Sequence, residues 1–186
     1  MNKIAPIEYG RLFLLEGLPD PLTRASAHIQ LFDNYIEHTR LRLRAVRDPE
    51  TKGWTRILQQ RINLDHDAAG SLKTSEIYLN DDEYAQFEHF EGNEIRKNRY
   101  FHEFDGRMIA FDIYLGKLWG LNTAYVGFQS PVEQRIYEPP PFVVFEVTGD
   151  GFFLGENLVG KEFADVQAQV AKLGSLVPPP MEMMDE

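Results

Sequence analysis

The chain has 186 residues and no cysteine, which excludes disulfides, thiolate metal sites and a cysteine nucleophile together. No segment approaches the roughly 20 apolar residues of a membrane span, and the opening MNKIAPIEYG lacks the uninterrupted apolar run of a signal peptide. There is no glycine-rich phosphate loop and no G-x-S-x-G elbow, and His28, His38, His66, His89 and His102 show no metal-ligand spacing. Positive charge is scarce: 19 Lys and Arg stand against 29 Asp and Glu, a net charge of -10. That balance argues against a surface built for nucleic acid or for an anionic membrane. The expectation is a cytoplasmic protein with no nucleic-acid and no membrane partner. Its oligomeric state is not legible.

What is present suits a folded, strand-rich chain. Hydrophobic residues make up 43% of it, with 13 Phe and 8 Tyr, side chains that favour pleated, half-buried surfaces. The length accommodates one domain with a real core, expected over 1–174, with 175–186 (ending PPPMEMMDE) a disordered tail. Alternation and turn signals place strands at about 4–15, 26–32, 39–47, 54–64, 72–79, 94–102, 107–115, 121–129 and 142–149. The Asp105-Gly106 pair between RYFHEF and RMIAFDIY is the clearest hairpin. LPDP, DPETKG, DAAG and SPVEQ read as turns. Two segments read as helices: NDDEYAQFEHFEG, ending at Gly92, and FADVQAQVAKLG, closed by Gly174. Many antiparallel strands with few helices predict an α+β fold built on a barrel, since closure removes exposed edges.

The scarce basic residues are concentrated. TRLRLRAVR puts Arg42 and Arg44 on one face of a strand, and IRKNR does the same for Lys97 and Arg99. Leu41 and Leu43 alternate with the arginines. If the leucines face an apolar layer, the arginines face a second, polar interior, which only a tunnel or groove provides. Guanidinium forks and an ammonium converging there suit a phosphate chain. A competing motif, DHDAAGSLKTSE at 65–76, places acids as in a calcium-binding loop, with WTRILQQRI drawn as its leading helix. Ala69 is no ligand and no second loop exists.

The ordered set of Glu8 in IEYGRLFLL, then RLRLRAV, SEIYL, RKNRY, AFDIYLGKLWGLNTAYVGF and FEVTGDGFFLGENL resembles the CYTH domain of the triphosphate tunnel metalloenzymes. The resemblance spans roughly 4–160. It implies an eight-stranded antiparallel β-barrel, the triphosphate tunnel, with a few flanking helices. It implies phosphate contacts at Arg42, Arg44, Lys97 and Arg99, and metal-binding acids at Glu8, Glu76, Asp112 and Glu146. No catalytic residue is assigned. In the strand around 54–62 the family often carries a basic residue, and Arg56, Gln59, Gln60 and Arg61 are equal candidates for that position.

The departures from the family pattern are specific. Its opening E-x-E-x-K is here Glu8, Gly10 and Leu12; its later E-V-E is Tyr125, Val126 and Gly127; one of its paired glutamates is Thr74. Magnesium needs several oxygen ligands, so these losses weaken metal capture and with it hydrolysis, whereas arginines bind phosphate without metal. Glycines at 10 and 127 also open space for a ligand bulkier than triphosphate. The expected function is therefore binding of a triphosphate or other small phosphorylated anion, with hydrolase activity weak or lost. A working triphosphatase using magnesium or manganese, and a scaffold with an empty barrel, are the alternatives; the first needs the metal and the others need none.

Overall fold

The computed structural model describes residues 6–64, 69–90, 92 and 94–176. The tail expected from residue 175 onward lies mostly outside them. Nine strands form one antiparallel sheet: β1 Ile7–Leu15, β2 His28–Tyr35, β3 Leu41–Arg47, β4 Trp54–Asn63, β5 Ser71–Leu79, β6 Glu94–Phe104, β7 Arg107–Tyr114, β8 Asn122–Phe128 and β9 Val143–Glu146. Their order is β5-β4-β3-β2-β6-β7-β8-β1-β9, and an added β5–β1 pairing closes the first eight into a barrel. The eight-stranded antiparallel barrel expected from the sequence is thus the observed fold.

Closure rests on β1, which borders three strands. One edge pairs with β8, from Tyr9↔Phe128 to Leu14↔Thr123. The other edge is shared: its first part takes β5 (Ile7↔Lys73 to Tyr9↔Ser71) and its last part takes β9 (Phe13↔Glu146 to Leu15↔Val143). The Gly10 N–H donates to the Gly70 carbonyl at 3.1 Å, so even-numbered amides of β1 point toward β5. Two even positions before Gly10, beyond Glu8, Pro6 has no N–H to send, which accounts for β1 beginning at Ile7.

Both faces of the barrel wall are covered. Outside, Phe13, Leu15, Tyr100, Ile109, Phe111, Val126 and Phe128 form a core packed by Leu18, Leu22, Tyr137 and Phe142 from the connecting segments. A second cluster joins Leu14, Ile95, Tyr114, Leu121 and Phe153 to Val166, Val170 and Leu173 of the last helix. Among the described residues four α-helices flank the barrel: α1 Asp81–Ala85, α2 Pro131–Ile136, α3 Gly155–Leu158 and α4 Phe163–Leu176. The first expected helix is shorter than its pattern, a single turn with an Asn80/Glu83 capping box, followed by a 3-10 turn at Glu88–Phe90. The last runs through Gly174 instead of stopping there. SPVEQ is a helix start instead of a turn: Ser130 accepts from the Glu133 amide and Pro131 takes the first helical position. Asp65 and Asp67 of the calcium-loop motif lie outside the described residues, but both flanks are strands, β4 and β5, where that motif requires helices. Among the described residues no helix is long and apolar enough to cross a membrane.

The segment after β9 folds across the barrel end. Phe153 is 3% exposed, and Gly155 lies so close to Tyr35 of β2 that a Cβ there would sit 1.8 Å from the Tyr35 hydroxyl oxygen. Gly155→Ala should therefore cost about 1–3 kcal/mol, seen as a lower urea midpoint. Combined with Tyr35→Leu, the loss should be smaller than the sum of the two single losses.

Candidate functional site

Register fixes which side chains share the barrel interior. Arg44 lies opposite Asp33 and Ile57, Arg42 opposite Tyr35 and Gln59, Gln59 opposite Glu76, and Arg61 opposite Thr74. On the other side Asp33 pairs with Ile95, Lys97 with Tyr114, Arg99 with Asp112, and Asp112 with Thr123. Directly opposed residues project to the same face, so Arg42, Arg44, Lys97, Arg99 and Arg61 all point inward. The four basic residues picked out by alternation are brought together on one wall. Of the four candidates on β4, Gln59 and Arg61 face inward, whereas Arg56 and Gln60 face outward; Arg56 stacks on Trp54 and Tyr84 outside.

Two carboxylates organise the wall. Asp33, with no exposure at all, receives Arg44 through Nε at 2.6 Å and Nη2 at 2.7 Å, and Arg42 through Nη1 at 3.4 Å. Asp112, 3% exposed, receives Arg99 at 2.6 and 2.7 Å and Lys97 Nζ at 2.7 Å. Arg42 continues the network: its Nε donates to Gln59 Oε1 at 2.5 Å, its Nη1 to the Tyr35 hydroxyl at 3.2 Å, and the Gln59 amide donates to Glu76. Burial alone would raise both aspartates, yet Arg42 and Arg44 around Asp33, and Arg99 and Lys97 around Asp112, hold them well below the ordinary carboxylate value. Burial draws Lys97 down to about 8 despite Asp112, while the Asp112 charge overcomes burial for Arg99 and raises it.

The expected acids are placed differently from one another. Asp112 is on the inner wall and its oxygens are taken by two cations. Glu76 is inward, exposed, and bonded to Gln59. Glu8 is inward by register, opposite Leu72, and exposed at the start of β1. Glu146 lies opposite Phe13 on the outer face, where Arg11 grips it in a fork at 2.8 and 2.5 Å and Thr148 donates to it; this pairing, against the effect of burial, lowers its pKa. Among the described residues no three His, Asp or Glu side chains come together as metal ligands would. The position where the family carries its second glutamate is closed as well. A Cβ on Gly10 would fall 2.3 Å from the Tyr125 ring, so the space expected from losing that side chain is filled by the tyrosine. Among the described residues the donor set does not fit a divalent metal.

A cavity of about 140 Å³ remains inside the barrel. Arg61, Arg99, Asn63 and Asp112 line it together with Leu12, Leu72, Tyr114, Tyr125 and Phe153. Arg61 also reaches a crevice of about 20 Å³ beside Arg42, Tyr35 and Glu156. Asp33 and Arg61 carry much of this arrangement; sequence reasoning assigned no role to Asp33 and left Arg61 as one of four equal candidates for a basic position. Asp33 was hidden because β2 was expected to end at residue 32, although Leu31, Asp33 and Tyr35 continue its alternation.

No protein-family model matches the chain, and no curated protein matches its sequence. Its structure is similar to the crystal structure of the inorganic triphosphatase NE1496, with 22% identity and a TM-score of 0.56 over 83% of this chain and 95% of that one. A second crystal structure, of the hypothetical protein NE1496, gives 21% identity and the same TM-score over 83% and 99%. HpAC1 from Hippeastrum, a protein with a dominant triphosphatase activity, superposes more loosely, at 13% identity and a TM-score of 0.44 over 69% of this chain. The likeness to NE1496 establishes the fold: this chain is a closed eight-stranded antiparallel barrel of the triphosphate tunnel type.

The acid–base consequence of the wall can be measured. Asp33 and Asp112 titrate below their unfolded value of 3.8, so their contribution is full above that pH and is lost as pH falls through and below it. The urea midpoint should drop between pH 5 and pH 2.5, and the drop should be shallower in Asp112→Asn. Asp33→Ala, which strands two buried guanidinium groups, should cost about 3–5 kcal/mol at pH 7.

Proposed function

We propose that this tunnel protein binds a small phosphorylated anion on its inner basic wall and does not hydrolyse it by a metal-dependent route. The observation that carries the reading is Arg61. It faces the cavity beside Arg99 and has no side-chain partner among the described residues, whereas Arg42, Arg44, Lys97 and Arg99 are each held by a carboxylate. An unpaired guanidinium next to one already oriented by Asp112 offers planar donors to a phosphoryl group. The tunnel fold, shared with an inorganic triphosphatase, agrees with a phosphorylated ligand. The placement of the acids argues against hydrolysis: Asp112 is neutralised by two cations, Glu146 is outside the barrel, and Tyr125 covers Gly10.

The test is calorimetric titration of inorganic phosphate and tripolyphosphate, in EDTA and in magnesium, with released phosphate assayed in parallel. Binding of at least one anion that is equal in the two media, with no release, is the expected result. Magnesium-dependent release of phosphate would overturn the reading, as would the absence of binding to every anion offered here and below. Arg61→Ala should weaken whatever binding is found by at least about tenfold, since hydrogen bonds to charged groups contribute about 1.5–3 kcal/mol each.

Lys97 adds a pH dependence. With its pKa drawn down to about 8, it is charged at pH 7 and mostly neutral at pH 9, and an anion favours the charged form. Affinity should therefore fall as pH rises from 7 to 9, and binding at pH 8 should take up protons, detected as a dependence of the heat on buffer ionisation. Lys97→Arg, which stays charged, should flatten the profile.

A further inference from the structure

We propose that the ligand is a phosphomonoester with one phosphoryl head on a compact apolar body, instead of a polyphosphate chain; the inference rests on the anion-binding reading above and specifies its ligand. The cavity lining is mixed. Arg61 and Arg99 come from β4 and β6, and Leu12, Leu72 and Tyr125 come from the three adjoining strands β1, β5 and β8. A polyphosphate has no use for an apolar wall, which its charged oxygens would have to approach without hydrogen bonds. A ligand with one charged end and one apolar end satisfies both kinds of lining.

Size and charge agree. About 140 Å³ is close to the roughly 150 Å³ of an apolar protein cavity that accepts benzene, and the head shares that space, so the body is no larger than one ring or a short branched chain. The cations at the cavity do not amount to a strongly positive site. Asp112 and Asp150 also border it, and Asp150 is anchored, accepting from the Phe152 amide at 2.9 Å and from Gln169 Nε2 at 2.8 Å. Arg44 and Lys97 border neither the cavity nor the crevice; they serve Asp33 and Asp112. Two guanidinium groups balanced by two carboxylates suit one phosphoryl head and not a chain of them.

Tyr125 sets the boundary of the body's compartment. Its ring lies over Gly10, as the 2.3 Å approach to a Cβ there requires, and a Cβ on Gly127 would stand 3.9 Å from it. The two glycines therefore admit a tyrosine ring to the inner wall, and that ring replaces charged ligand-binding surface by an apolar one. In the bound state the head forms charge-assisted hydrogen bonds with Arg61 and Arg99, and the body lies against Leu12, Leu72 and the Tyr125 ring.

The experiment is a calorimetric comparison of phenyl phosphate, inorganic phosphate, tripolyphosphate and phenol on the unaltered chain in EDTA at pH 7. Phenyl phosphate should bind at least about tenfold more tightly than each of the other three, the apolar body adding to the head. Arg61→Gln should weaken phenyl phosphate by about tenfold or more, and Tyr125→Ser should bring its affinity down toward that of inorganic phosphate while leaving inorganic phosphate within about twofold. Tripolyphosphate or inorganic phosphate binding as tightly as phenyl phosphate would overturn this inference and leave the anion-binding reading intact. Phenol matching phenyl phosphate would overturn both, as would no binding by any of the four. An Arg61→Gln variant with unchanged affinity would place the ligand elsewhere and overturn the inference.

Discussion

Two buried aspartates hold the interior of this barrel together. Like-charged side chains packed on adjacent strands repel, and Arg42, Arg44, Lys97 and Arg99 are brought within one wall by the register of β3, β2, β6 and β7. Asp33 and Asp112 each sit between two of these cations, converting repulsion into forked hydrogen bonds. Removing ionised groups from water is expensive, and a carboxylate with excellent geometry on two sides is the arrangement in which the cost is best offset. The fork geometry also fixes the guanidinium planes, so the wall is shaped before any ligand arrives. Glu76 extends the same chain through Gln59 to the exposed side of β5.

The same arrangement separates structural charge from binding charge. A basic residue that holds a buried carboxylate is already committed, and displacing the carboxylate would leave it stranded. Arg61 is differently placed, inward on β4 and opposite Thr74 instead of an acid. The barrel therefore presents a fixed polar half, made mainly by β2, β3, β6 and β7, and an apolar half made by β1 and β8 through Leu12, Leu14 and Tyr125. The proposed anion site lies where the two halves meet.

Much of this was legible in the sequence, and the failures have physical causes. Strand positions and the inward direction of Arg42, Arg44, Lys97 and Arg99 follow from a period of two, a signal that each segment carries by itself. The inward residue of β4 does not, because Arg56, Gln59, Gln60 and Arg61 divide evenly between the faces and only pairing with β3 and β5 decides among them. Glu146 illustrates the same limit: β9 is four residues long and its pairing shifts register beside Leu14 and Leu15, so its faces cannot be counted from a neighbouring strand. Tyr125 filling the space at Gly10 is a contact between residues more than a hundred positions apart, and no local pattern announces it. The extra turn of structure at Pro131 was announced, by a serine followed by a proline and then a glutamate, the chemistry of a helix start.

β1 has three neighbours, and all of them are made after it. Its first partner, β5, begins at Ser71, and β8 and β9 extend from Asn122 to Glu146. During synthesis the first strand of the barrel consequently waits for more than a hundred residues to follow before its hydrogen bonds can be completed, and the loop it closes is most of the chain. Long-range pairing of that kind carries its entropy cost before its reward. The strand with three partners in the finished molecule thus has its hydrogen bonds completed late, which makes IEYGRLFLL a stretch that a nascent chain has need to shield.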